Sequence, residues 1–279
     1  MHDLIGRAGA ARTLLFVPGD RPELFAKAER SGADLVVLDL EDAVHEKHKR
    51  EARDAVAEYL GTGTVSAVRM NASGTAWHDE DIRMVASHDC IAMVPKAAAD
   101  NLMAVAQRLG AGRAMIALVE TSAGVLDARR IAEVAGVERL ALGTFDLAAE
   151  LGVTPEDREA MAVSRNMMVL ASSAAGIAPP IDGITAALGE ENVLRSDLAY
   201  ARRLGFGGKL CIHPAQVSVA AEMMMPDAQQ LAWAGRVLAA AEHESVAVVD
   251  GQMVDRPVIL RARRLLAAAE QSMAGPTNE

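Results

Sequence analysis

The hydrophobic and polar positions of the chain follow a repeating pattern, in which a short apolar run precedes a longer segment of helical period. The apolar runs predict eight strands, at 13–19, 35–42, 65–71, 91–96, 114–121, 139–146, 178–183 and 208–214. The segments between them predict helices at 22–31, 46–60, 100–109, 124–135, 155–175 and 191–204. Eight strands that alternate with helices indicate a parallel sheet, and eight is the number that closes a (β/α)₈ barrel.

The alternative architecture is a doubly wound open sheet. No GxGxxG sequence follows the first predicted strand, which weakens a dinucleotide-binding version of that fold. We therefore predict an α/β protein with a (β/α)₈ TIM barrel over residues 12–222 and a helical C-terminal extension over residues 223–279.

Polar side chains close each of the predicted strands. "LVVLDLEDAV" at 35–44 places three carboxylates almost side by side after a buried strand, and the other strand ends carry cations, an amide, an imidazole and further acids. A single acid at a strand end is most often a turn or helix-capping residue. In a barrel all eight carboxyl ends meet at one rim, where active sites lie, so the full set predicts a site there. Its members are Asp39, Glu41, Asp42, Arg69, Asn71, Lys96, Glu120, Asp146, Asp182 and His213.

Glu120 and Asp146 close neighbouring strands, so their carboxylates can converge on one cation. Two carboxylates completed by water and substrate oxygens are typical of Mg²⁺, whereas zinc favours His or Cys ligands. The alternative for Glu120 is a salt bridge within the barrel. Arg69, two positions before Asn71, can bind a carboxylate or an enolate oxygen, or can serve as counter-ion to the acids.

Composition limits the class of partner. The chain has 279 residues and a formal net charge of -10, so it lacks the basic footprint of a nucleic-acid-binding protein. Cys90 and Cys211 have no metal-binding spacing, residues 1–12 lack the apolar core of a signal peptide, and no apolar run reaches membrane-spanning length. We expect a soluble cytoplasmic protein that binds neither nucleic acid nor membrane.

Six segments together resemble the β-subunit of citrate lyase and the related malyl-CoA and citramalyl-CoA lyases of the HpcH/HpaI aldolase group. They are "RTLLFVPGDRPELFAKA" (12–28), "GADLVVLDLEDAV" (32–44), "VRMN" (68–71), "ALVETSAGV" (117–125), "LALGTFDLAAELG" (140–152) and "GKLCIHPAQV" (208–217).

The resemblance implies a Mg²⁺ site at Glu120 and Asp146, and it implies coenzyme A thioester as substrate. The implied substrate and coenzyme A contacts are Arg12, Arg21, Lys27, Arg69 and Asn71, and the implied catalytic residues are Arg69, Glu41, Asp42 and Asp255. The resemblance also implies a homotrimer or homohexamer, in which Asp255, or alternatively Asp250, works at a neighbouring subunit's site. One departure is "GTFD" at 143–146, where Phe145 stands in place of an acid common in relatives.

The implied reaction is cleavage of citryl-CoA, malyl-CoA or citramalyl-CoA through an enolate. The products are acetyl-CoA and a 2-keto acid such as oxaloacetate, glyoxylate or pyruvate. Three alternatives stay open: a malyl-CoA-type thioesterase, an aldolase that acts on 2-keto acids without coenzyme A, and a non-catalytic subunit of a larger complex with an acyl-carrier partner.

Overall fold

The computed structural model of the protein describes residues 3–243 and 247–273. Eight parallel strands close into a barrel in chain order, which confirms the predicted (β/α)₈ fold. They are β1 (Thr13–Pro18), β2 (Leu35–Asp39), β3 (Ala67–Arg69), β4 (Ile91–Val94), β5 (Met115–Val119), β6 (Val137–Leu142), β7 (Ile181–Asp182) and β8 (Gly208–Cys211).

Helices connect the strands on the outside of the barrel, as right-handed parallel crossovers require. The connecting helices are α2 (Phe25–Glu29), α3 (Lys49–Leu60), α4 (His78–Ala86), α5 (Ala99–Leu109), α6 (Ser122–Leu126), α7 (Ala128–Ala132), α8 (Thr144–Leu151), α9 (Ala162–Ala175) and α10 (Glu191–Leu204). Helix α1 (Leu4–Ala10) precedes β1, and α11 (Pro214–Met223) follows β8. Short 3₁₀ helices at Pro22–Leu24 and Glu46–His48 precede α2 and α3. None of the helices in the described residues is long and apolar enough to cross a membrane.

The barrel interior is filled by aliphatic side chains from alternate strand positions, because successive residues of a strand point to opposite faces. Leu35, Val37, Ile116 and Leu118 are among its buried members. At the amino-terminal end of the strands, Leu4 and Ala8 of α1 belong to the same core cluster, so α1 closes that end. The opposite end remains open as a cavity.

Some predicted boundaries are wrong. The predicted strand at 139–146 is instead β6, which ends at Leu142, and Thr144 already begins α8. The predicted helix at 124–135 is two short helices, α6 and α7. Helices α1, α4 and α8 were not predicted. The strands therefore end earlier than their apolar runs suggest, and several polar residues lie in the turns beyond them.

A second compact unit begins at Glu222. It contains α12 (Ala228–His243), a hairpin of β9 (Ala247–Val249) and β10 (Gln252–Val254), and α13 (Arg256–Met273). Asp250 and Gly251 form the two-residue turn with φ of 52° and 78°, the left-handed pair that a tight hairpin favours. Contact of this unit with a neighbouring subunit stays a prediction.

Candidate active site

A cavity of about 350 Å³ occupies the open end of the barrel, at the carboxyl ends of the strands. Its apolar base includes Phe16, Leu118 and Leu142. Its polar lining comes from four strand ends and is formed by Asp39, Asp42, Arg69, Glu120 and Asp146. The structure therefore brings together five of the side chains that the strand ends predicted, as the geometry of a barrel requires, whereas Asp182, also predicted at this rim, does not line the cavity.

Arg69 holds the acids that follow β2. Its Nε and Nη2 donate to the two carboxylate oxygens of Asp39 at 2.7 and 2.5 Å, a bidentate pair. Its Nη1 lies 3.2 Å from Glu41 Oε2 and 3.4 Å from Asp42 Oδ2. Asp39 is almost completely buried, so this guanidinium supplies the pairing that a buried carboxylate needs. Arg69 thus explains how three neighbouring acids can stand at the edge of an apolar core.

The turn after β2 is fixed by the same carboxylate and by a buried lysine. Asp39 accepts hydrogen bonds from the backbone N–H groups of Glu41 and Ala43, at 2.8 and 3.2 Å. Lys49 Nζ of α3 donates to the carbonyl oxygens of Leu40 and Glu41, both at 2.7 Å. No local spacing in the sequence marked Lys49 for this position. These bonds hold Glu41 and Asp42 at the rim.

Glu120 follows the last residue of β5 and is buried at the rim. Its Oε1 accepts the backbone N–H of Lys96 at 2.8 Å. Lys96 has a φ of 46°, a left-handed conformation that is uncommon for a non-glycine residue, and its Nζ donates to Glu41 Oε1 at 3.2 Å. Lys96 therefore joins two of the rim carboxylates.

The rim carboxylates disfavour one another's charge. Burial raises the pKa of Glu120 to about 8, helped by the neighbouring charges of Glu41 and Asp146. Burial likewise raises the pKa of Glu41 to about 7, although the charges of Arg69 and Lys96 oppose that shift. Like charges crowded in a partly dry cavity favour a cation among them.

Gly143 follows the last residue of β6 and allows the chain at that point to lie against Glu120. A Cβ at position 143 would come within 2.4 Å of Glu120 Cβ and 2.5 Å of Glu120 Oε2, closer than side chains approach one another. Immediately after Gly143 the chain enters α8, which carries Asp146, an exposed residue, in its first turn. The "GTFD" sequence thus places Asp146 in the same cavity as Glu120.

Two predicted contacts are placed elsewhere. Arg12 precedes the first residue of β1, at the amino-terminal end of the barrel, where its backbone N–H donates to Asp34 at 2.8 Å. Asn71 donates its backbone N–H and its side-chain amide to the buried Asp81 of α4, at 2.9 and 2.6 Å. These positions remove Arg12 and Asn71 from the candidate substrate contacts of the rim.

The other predicted contacts are exposed. Arg21 and Lys27 lie in the connection after β1, on the side of the rim, and Arg21 pairs with Glu23 at 2.5 Å. In the second unit Asp255 accepts the backbone N–H of Val258 at 3.1 Å and so caps α13, while Asp250 pairs with Arg236. Their predicted roles in binding and catalysis stay predictions.

Residues 12–214 match the family model described as HpcH/HpaI aldolase/citrate lyase. The chain belongs to this family. It is 34% identical to the (3S)-malyl-CoA thioesterase of Cereibacter sphaeroides over 271 residues, which cover 93% of this chain and 94% of the relative. It is 37% identical to the citrate lyase subunit beta-like protein of Mycobacterium tuberculosis over 267 residues, which cover 92% and 95%.

Among solved structures, the chain is similar to the protein CitE of Mycobacterium tuberculosis in complex with magnesium, acetoacetate and coenzyme A. The TM-score is 0.81 at 36% identity, and the match covers 95% of this chain and 99% of the CitE chain. The resemblance of the six sequence segments to the citrate lyase β-subunit group is thereby confirmed.

Proposed function

We propose that this HpcH/HpaI family member is a Mg²⁺-dependent carbon–carbon lyase that cleaves a 3-hydroxyacyl-CoA thioester to acetyl-CoA and a 2-keto acid. The candidate substrates are citryl-CoA, malyl-CoA and citramalyl-CoA. The observation that carries the proposal is the presence of Arg69, Glu120 and Asp146 in one cavity at the carboxyl ends of the strands. The complex of the similar CitE with magnesium, acetoacetate and coenzyme A supports the same class of substrate.

The residues of the rim fit magnesium. Glu120 and Asp146 provide two hard oxygen donors. The described residues contain no group of three or more His, Cys, Asp or Glu side chains arranged for a metal, so the protein would supply only part of the coordination shell. Mg²⁺ is commonly held by one or two carboxylates and keeps several waters. The Lys96 N–H orients Glu120 through Oε1. The raised pKa of Glu120 reflects burial and neighbouring acids, which a bound cation would offset.

When bound, Mg²⁺ would polarise the carboxylate and hydroxyl oxygens of the acyl group. Loss of the hydroxyl proton turns that oxygen into the carbonyl of the keto acid as the adjacent carbon–carbon bond breaks. The bonding pair passes to the thioester enolate, whose negative oxygen the Arg69 guanidinium stabilises. Asp39 holds that guanidinium in one orientation through two hydrogen bonds.

Protonation of the enolate carbon completes acetyl-CoA. Our candidates for moving protons are Glu41, Asp42 and, from a neighbouring subunit, Asp255. A pKa of about 7 suits Glu41 to proton transfer near neutral pH, and its contacts with Arg69 and Lys96 fix its position. The exposed Arg21 and Lys27 are our candidate contacts for the phosphates of coenzyme A. We expect the protein to form a homotrimer or a homohexamer.

A second candidate is hydrolysis of a malyl-CoA-like thioester at the same site. The (3S)-malyl-CoA thioesterase of Cereibacter sphaeroides, similar along 93% of this chain, favours it. In that reaction water attacks the thioester carbon, the sulfur leaves as free coenzyme A, and the carbon–carbon bond stays intact. The two reactions therefore differ in their products.

The test uses the purified full chain with MgCl₂ and citryl-, malyl- or citramalyl-CoA, and measures keto acid and free thiol separately. We expect keto acid without matching thiol, abolished by Glu120→Gln and retained in Glu133→Gln, an exposed acid of the outer surface. Thiol without keto acid would identify the thioesterase. Turnover of none of the three would refute the lyase, and assays with free 2-keto acids and with an acyl-carrier protein would then follow.

A further inference from the structure

A second cavity, of about 510 Å³, lies on the outer side of the barrel wall between β7, β8, α9 and α10. Ile181 and Leu210 point into the barrel core, so their neighbours Asp182 and Lys209 point outward, into this second cavity. Its volume is within the range of small-molecule sites. None of the steps proposed above uses it.

A buried trio of charges forms one wall of this second cavity. Asp182 accepts from Arg165 Nε at 3.2 Å and from Lys209 Nζ at 2.9 Å, and the three side chains are 9% exposed or less. Two cations on one carboxylate give a net charge of +1. Burial of an excess charge is costly unless a counter-charge or hydrogen bonds offset it.

More positive charge gathers around Tyr200 of α10. The guanidinium carbons of Arg158, Arg165 and Arg203 lie 4.9, 5.7 and 5.6 Å from the centre of its ring. Arg158 also pairs with Asp197 at 3.0 Å. Three cations line the second cavity, Arg158, Arg165 and Lys209, and three carboxylates line it with them, Asp182, Asp197 and the exposed Glu156; Arg203 lies outside the lining.

Arg165 retains unused hydrogen-bonding capacity. Within the described part of the chain its hydrogen bond is the one from Nε to Asp182, and its Nη1 is buried without a partner. A guanidinium presents a planar fork that matches two oxygens of a carboxylate or a phosphate. A small shift of this side chain toward a ligand would satisfy a donor that the protein itself leaves unpaired.

We propose that the second cavity binds a small organic oxyanion, a carboxylate or a phosphate, against Arg165 and Arg158. The ligand's charge offsets the excess of the buried trio, and its oxygens accept from the two guanidinium groups. The second cavity shares Phe145 and Ile184 with the candidate active site, so this anion site lies beside the reacting centre and is distinct from it. The inference does not depend on the proposed lyase activity.

The test is isothermal titration of the full chain with sodium phosphate and, separately, sodium acetate, at constant ionic strength and without Mg²⁺. We expect one site per chain, and the ratio of the two affinities identifies the preferred oxyanion. Arg165→Gln and Arg158→Gln should each weaken binding about tenfold or more, because each removes a charge-assisted hydrogen bond. Arg195→Gln, on the same α10 but paired with Glu191 outside the second cavity, should bind like the wild type.

Arg69→Gln distinguishes the two cavities, since anion binding at the candidate active site would be lost in that variant and retained at the second cavity. The proposal is overturned if neither anion binds at millimolar concentration, if both cavity variants bind like the wild type, or if Arg69→Gln alone, folded by circular dichroism, abolishes binding. If circular dichroism shows that Arg165→Gln is not folded, the affinity of Arg158→Gln tests the proposal. The Arg158 side chain is 40% exposed, so its replacement disturbs the fold less.

Discussion

Replacement of Gly143 by alanine tests the link between the close packing of two strand ends and the proposed metal site. The new Cβ would lie 2.4 Å from Glu120 Cβ and 2.5 Å from its Oε2, whereas ordinary contacts begin near 3.4 Å. Gly143 has φ of -86° and ψ of 88°, so its φ is not left-handed and the conflict comes from the contact. Glu120 must therefore move by about 1 Å, because Gly143 is held through its N–H to Val119 O at 2.9 Å.

This movement has two expected costs. Overpacking of a tight site typically destabilises a protein by about 1–3 kcal/mol, and loss of the hydrogen bond from Lys96 to Glu120 adds about 1 kcal/mol. Mg²⁺ requires nearly ideal octahedral geometry with oxygen distances of about 2.0–2.1 Å, so it tolerates a 1 Å displacement of one carboxylate poorly. We expect Mg²⁺ affinity to fall about tenfold or more, a loss of about 1.4 kcal/mol of binding free energy or greater.

The assay combines urea unfolding with calorimetric titration of MgCl₂ into the folded variant. Gly189→Ala is the matched control, since a Cβ at that position meets no atom within 4 Å. The control should retain the affinity of the wild type. If Gly143→Ala binds Mg²⁺ as tightly as the wild type while its fold is intact, Glu120 does not hold the metal in the manner proposed.

Two substitutions and one labelling experiment test further details of the structure. Arg69→Met leaves the buried Asp39 without its bidentate partner, and urea unfolding should show a loss of about 3–5 kcal/mol. Burial raises the pKa of Cys90 and Cys211 to about 12, so at pH 8 about 10⁻⁴ of each thiol is ionised, and a disulfide reagent should label neither until urea unfolds the chain. Asp255→Ala should cost about 1 kcal/mol as a lost cap of α13, and a far larger fall in kcat, about 10²-fold or more, is expected if Asp255 transfers protons.

The barrel could be predicted because eight apolar runs alternate with helical segments, and chain order then fixes the strand neighbours. The short helix α4 was not predicted, because its sequence lacks a regular apolar period. Its core-facing positions include Asp81, which is fully buried and paired with Arg53 at 2.7 Å and Asn71. A buried acid interrupts the apolar periodicity, and tertiary pairing stabilises the helix instead.

The candidate site was predictable where it depends on strand ends. Glu120 follows β5 directly, so the parallel order alone brings it to the rim. The predicted contact of Asn71 with substrate depended on strand alternation from Arg69. Because β3 ends at Arg69, that alternation no longer determines the direction of the Asn71 side chain. Arg12 precedes β1 and so lies at the amino-terminal end of the barrel. The rule that active sites lie at the carboxyl ends of the strands would have excluded it from the rim. Lys49 approaches the rim from α3, a tertiary contact that no sequence period reveals.

The crowding of acids after β2 is possible only in the closed barrel. Arg69 comes from β3, Lys96 from the end of β4 and Lys49 from α3, and each reaches the "DLED" turn only when those elements are assembled. The unfolded chain does not hold these cations, nor Glu120 and Asp146, in a fixed arrangement, so we expect it to bind Mg²⁺ weakly. A cation that binds the native rim alone stabilises the fold by RT ln(1 + [Mg²⁺]/Kd), which reaches about 2.7 kcal/mol at one hundred times Kd. We therefore expect the stability of the barrel to rise with Mg²⁺ concentration if the rim residues bind the metal as proposed.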